Sequence, residues 1–133
     1  MTETEELQLV TTALRNFLQR IDEIIELLEG RTRISDDEKH HVQALYTSLK
    51  SDLKATSKTG TVDGKNRPLT QDESAFFARP VQQSAAFLRA PINSHPIKSN
   101  WVGALTGIRL NFTDALNQIS DYQRDGGGVP PRI

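Results

Sequence analysis

The chain contains no cysteine. That excludes disulfides, thiolate metal sites and thiol nucleophiles together. Long apolar runs are also missing, and nothing approaches the roughly 20 residues a helix needs to cross a bilayer. Charge of one sign is not in excess: 16 Lys and Arg face 17 Asp and Glu, a net −1. Domains that bind nucleic acid usually carry a basic surplus, because neutralising phosphates supplies most of their affinity. Only a local patch is left for that role. The opening Met-Thr-Glu-Thr-Glu-Glu has neither the basic start nor the apolar stretch of a secretory signal, which predicts a cytoplasmic chain. No glycine loop precedes a helix, as a phosphate-binding loop would, since Gly126–Gly128 follow one. No cofactor is therefore expected.

What is present is the composition of one packed domain. The 133 residues match a single-domain size, and 36% hydrophobic with 25% charged residues gives enough apolar material for a core. Leu7, Val10, Leu14, Phe17, Ile21, Ile24 and Leu28 recur in steps of three and four, an a/d seam over more than three heptads. Leu18 and Ile25 widen it, and Gly30 stands where a helix ends in the left-handed conformation. A first helix is predicted over 4–29, with Asp22, Glu23, Glu26 and Glu29 on its outer face.

Ser35 and Glu38 have capping-box spacing, so a second helix starts there, with Val42, Leu45, Leu49 and Leu53 inward and Tyr46 at the edge. It fades near Lys58. Residues 58–69 hold two glycines, a proline and an Asp63-Gly64 turn signal, and read as a mobile excursion. Thr70 and Glu73 repeat the capping-box spacing and open a third helix. Pro80 costs it an amide donor and predicts a kink, or two short helices near 71–79 and 80–89, with Phe76, Phe77, Val81, Phe87 and Leu88 in the core. After Pro91 and Pro96, Trp101, Leu105, Ile108, Phe112, Ala115, Ile119 and Tyr122 mark a last helix over about 100–124. The expected fold is all-α: an antiparallel four-helix bundle over residues 1–125 with its third helix kinked at Pro80, and a flexible tail at 126–133. The two long seams either pack on each other or leave one for another copy.

Candidate chemistry is sparse. Glu38-x-x-His41 has the i, i+3 spacing of di-iron carboxylate bundles, but only one copy is present, and Glu38 already serves as a capping residue; no metal is expected. Arg89-x5-His95 resembles the Arg-x(4–6)-His signature of the HEPN ribonucleases, which are small all-α domains. The resemblance implies that Arg89 and His95 act at a scissile phosphate. Ala90, Pro91 and Pro96 depart from the helical setting that family expects. Trp101-Val102-Gly103 resembles the Trp-x-Gly turn of the helical-hairpin proteins exported by type VII secretion. That family's Tyr-x-x-x-Asp/Glu signal is not met, because Gly126 lies four positions after Tyr122.

Lys50, Lys54 and Lys58 share one helix face at i, i+4, i+8. They supply either a site for nucleic acid or a surface complementary to the acidic face around Asp22 and Glu26. With no catalytic constellation, the expected function is a non-enzymatic interaction module: an adaptor, regulatory subunit or immunity-type protein that presents helical faces to a protein partner or a second copy. The alternatives are a HEPN-like ribonuclease toxin using Arg89 and His95, and a small nucleic-acid-binding subunit using the lysine face.

Overall fold

A computed structural model describes residues 3–88 and 92–124. Arg89 and the 126–133 tail lie outside the described residues. Four α-helices are present: α1 (Glu3–Leu28), α2 (Asp36–Thr59), α3 (Ala78–Ala85) and α4 (Ser99–Arg124), with a π-helical turn (Glu73–Phe77) leading into α3. No strand occurs among the described residues, so the all-α bundle stands.

Helix ends follow from local chemistry. Gly30 has φ +74°, which an L side chain resists, and stops the run after α1. At α2 the Ser35 hydroxyl accepts from the Glu38 amide at 3.2 Å, while Glu38 accepts from the Ser35 amide at 3.0 Å, a closed capping box. Gly60 ends α2 at φ +73°, its N–H bonded to the Thr56 carbonyl. A Cβ there would lie 3.0 Å from Ala78 Cβ, so both conformation and space demand glycine.

The third helical segment differs from expectation in where it is irregular. Helical hydrogen bonding runs through Pro80, and the departure from α geometry is the π-turn just before it. There the Ala78 N–H reaches back five residues to the Glu73 carbonyl. A π-turn widens the helix where a proline ring would otherwise crowd the preceding turn.

α1 packs on α4 and α2, α2 on α3, and α3 on α4, making a ring with four edges. Phe17 stacks on Phe112 with ring centroids 5.6 Å apart, and Asp22 lies 3.7 Å from Arg109. Partner numbers thus fall along α4 as they rise along α1. Arg20 bridges to Asp52 at 2.8 Å and to Ser48 at 2.9 Å on α2. Both seams are consumed in this packing: each of Leu7, Val10, Leu14, Phe17, Ile21, Ile24 and Leu28 is buried, as are Trp101 through Tyr122 at their seam positions. Neither seam is left for a second copy, which corrects the idea that seam residues remain at the surface. At about 25 cal/mol per Å² of apolar area, these contacts are the main stabilising term of the fold.

Three further expectations change. Tyr46 is buried rather than at an edge, and Phe76 and Phe77 fill the core, but Phe87 is 48% exposed. Phe87 falls after the last turn of α3, and its ring lies against Gly107 of α4, while Leu88 beside it is buried in the core. Residues 60–70 are anchored at Thr61, Val62 and Arg67, with residues 63–66 exposed. Thr61 is fully buried, and its hydroxyl donates to the Lys65 carbonyl at 2.9 Å. Finally, the two connections at the other end of the bundle pair with each other through an isolated antiparallel bridge, Arg33 with Pro96. The Ile34 amide donates to the His95 carbonyl at 3.0 Å, and the Ile97 amide to the Thr32 carbonyl at 2.8 Å.

Candidate functional site

Two surface features stand out from the packed core. The first is on the α3/α4 edge, where Gln83, Ala86, Phe87 and Asn111 line a hollow of about 750 Å³. The Phe87 ring reaches Gly107 of α4, its nearest atom 3.6 Å from where a Cβ would be, an ordinary van der Waals spacing. One turn further, Leu110 is 60% exposed, the most exposed large apolar residue described. Large apolar side chains left exposed by an otherwise covered bundle are candidates for a contact surface.

The second feature is a groove of about 450 Å³ between the N-terminal half of α1 and residues 62–73. Its floor is an ion pair between a buried carboxylate and a half-buried guanidinium, Glu73 and Arg67. Glu73 is 2% exposed at its side chain, and each of its oxygens takes one guanidinium and one backbone donor. Oε1 accepts from Arg67 Nη1 at 2.7 Å and the Thr70 amide at 2.9 Å; Oε2 accepts from Arg67 Nη2 at 2.8 Å and the Val62 amide at 2.6 Å. Burial works against the charge on Glu73, yet these four donors hold its carboxyl below the usual range. The same bonds, with a further one to Asp63, push Arg67 upward. Asp63 is itself lowered by the Lys65 amide and by Arg67. Part of this was legible, because Thr70–Glu73 is a capping box and the Thr70 hydroxyl does accept from the Glu73 amide at 3.2 Å. The role of Arg67 was not, since no local spacing links it to Glu73.

The residues singled out from sequence are distributed as follows. Asp22, Glu23 and Glu26 line a shallow polar hollow on α1 with Arg15, and Asp22 is already engaged by Arg109. Lys54 and Lys58 are exposed and Lys50 half-buried on the α2/α3 edge, across the ring from the α1/α4 edge. α3 adds a cation there: Gln82 donates to the Ser57 carbonyl at 3.4 Å, and the exposed Arg79 sits one turn before it. The acidic and basic groups therefore lie on separate sides, not against each other.

His95 Nε2 is 2.5 Å from Asp36 Oδ1 at the start of α2, and this contact lowers the Asp36 carboxyl. His95 thus serves as a clasp between the two connections, next to the Arg33–Pro96 bridge. Glu38 is paired with Arg31, which with the Ser35 amide holds its carboxyl at about 2. His41 is exposed, and no group of three His, Asp or Glu able to hold a metal occurs among the described residues. No helix among them is long and apolar enough to cross a membrane.

No protein-family model, curated protein or solved structure matches the chain.

Proposed function

We propose that this chain is a non-enzymatic protein–protein interaction module acting in the cytoplasm. It would serve as an adaptor, regulatory subunit or immunity-type protein, with a protein partner or a second copy on its α3/α4 edge. The observation that carries this reading is the exposure of Phe87, after α3, and of Leu110, on α4, while every seam residue is buried. A bundle that covers its own seams has no internal use for a half-exposed phenylalanine. Covering Phe87 and Leu110 would remove their apolar surface from water, at about 25 cal/mol per Å². Charged groups elsewhere on the surface would set orientation more than affinity.

The test is to introduce a charge into the apolar patch. Leu110→Asp should leave circular dichroism and thermal stability unchanged, because the side chain makes little contact within the bundle. It should abolish whatever association light scattering or chemical cross-linking detects for the parent chain. Association that survives both Leu110→Asp and Phe87→Asp would defeat the assignment of this edge.

The lysine edge supports a second reading, because Arg79 extends the row of Lys50, Lys54 and Lys58 without an intervening acid from α3. A nucleic-acid-binding subunit using this edge would show affinity that falls steeply with salt and is lost in Lys54→Gln/Lys58→Gln.

A further inference from the structure

We infer that the groove beside α1 is a second docking site, for a short polypeptide segment that brings an apolar side chain with a lysine or arginine next to it. This rests on the reading of the chain as an interaction module, but on a different surface. The groove lies by the N-terminal half of α1, whereas Phe87 and Leu110 belong to the α3/α4 edge.

The apolar part of the occupant follows from the walls. Leu9, Val10, Ala13 and Val62 line the groove, and Leu9 is 45% exposed although it stands on a helix whose other large apolar residues are mostly covered. A volume of about 450 Å³ admits one or two side chains, not a helix lying along its length. The cationic part follows from charge. Three carboxylates line the groove, Glu6, Asp63 and Glu73, against a single guanidinium, Arg67, leaving a net −2.

That guanidinium does not invite an anion. Its Nε is bonded to Asp63, its Nη1 to Glu73 and the Pro68 carbonyl, and its Nη2 to Glu73. The floor is therefore a locked, internally neutral pair. The remaining negative charge sits on Glu6 and on the 40%-exposed Asp63, which shares Arg67 with Glu73. An incoming lysine or arginine meets these two carboxylates while its neighbour's apolar side chain covers Leu9. An acidic segment meets the same two charges with like sign.

Three blocked tetrapeptides serve as probes: Leu-Lys-Leu-Lys, Leu-Gln-Leu-Gln and Leu-Glu-Leu-Glu, each titrated against the isotope-labelled chain by NMR. The lysine peptide should shift the Leu9 and Val62 methyl signals and the Ala13 signals. The glutamine peptide should bind several-fold more weakly, and the glutamate peptide should leave these signals in place. Glu6→Gln should weaken the lysine peptide by about threefold, rising salt should weaken it further, and Leu9→Gln should abolish its effect. Equal shifts from the lysine and glutamate peptides, or shifts confined to Phe87 and Leu110, would overturn the proposal. So would silence of all three peptides at Leu9 and Val62. If the groove is silent while Leu110→Asp still disrupts association, this inference fails and the interaction reading stands. If the groove responds as expected while Leu110→Asp changes nothing, the α3/α4 assignment fails alone.

Discussion

Replacing Glu73 by glutamine keeps the shape of the side chain and removes one charge from the groove floor. Each carboxylate oxygen accepts one Arg67 N–H and one backbone N–H, from Thr70 on one side and Val62 on the other. Glutamine has one oxygen, so whichever way its amide turns, its NH₂ group faces an Arg67 donor and a backbone donor. The stranded, half-buried backbone N–H costs about 1–3 kcal/mol. Losing the charge on the remaining bonds adds about 1 kcal/mol. The expected total is about 3 kcal/mol. Unfolding entropy of about 2.1 cal/mol/K per residue over the chain converts this to a fall in Tm of about 10 °C. Circular dichroism at 222 nm during a thermal ramp measures it. Glu38→Gln is the control, because Arg31 and Glu38 are each about one-third exposed and water can replace what is lost. The reasoning is refuted if Glu73→Gln moves Tm no further than Glu38→Gln does.

Other outcomes are equally specific. Phe112→Ala should cost about 3–5 kcal/mol in denaturant unfolding, because Phe112 is fully buried and its stack with Phe17 is lost; Thr113→Ala, at a half-buried neighbour, should cost far less. Acid should destabilise the fold. Asp36, Glu38, Asp63 and Glu73 all have folded values below their unfolded ones, so their contributions are whole above about pH 4.5 and fade as pH falls, that of Glu38 continuing to about 2. A stability profile flat from pH 6 to pH 2 would contradict those assignments. The parent chain should leave RNA intact, and cleavage that disappears in both Arg89→Ala and His95→Ala would instead establish the ribonuclease alternative.

Local patterns carried most of the helical content. The seams of α1 and α4 announced themselves through spacing, and both capping boxes formed as their residues imply. Gly60 was absorbed into a loop reading because Gly64 and Pro68 follow closely, although a glycine after Lys58 and Thr59 is itself a helix-ending signal. Phe87 was misplaced because periodicity treats every apolar residue in a helical stretch alike and does not reveal that α3 stops at Ala85. The groove was invisible for a different reason. Its floor joins Arg67 to Glu73 and its wall joins Val62 to α1, pairings that only the folded chain creates. The Arg33–Pro96 bridge likewise links positions that no window spans.

Charge is separated around the ring although the chain's formal charge is only −1. Lys50, Lys54, Lys58 and Arg79 lie on one side and Asp22, Glu23 and Glu26 across from them, with Arg15 and Arg109 offsetting part of the acidic excess, so a chain of almost no net charge still carries a patch of each sign. Such a molecule is turned by a charged surface more than it is drawn to one. It should be retarded on anion- and cation-exchange resins alike at neutral pH and low salt, meeting each with the opposite side of its body.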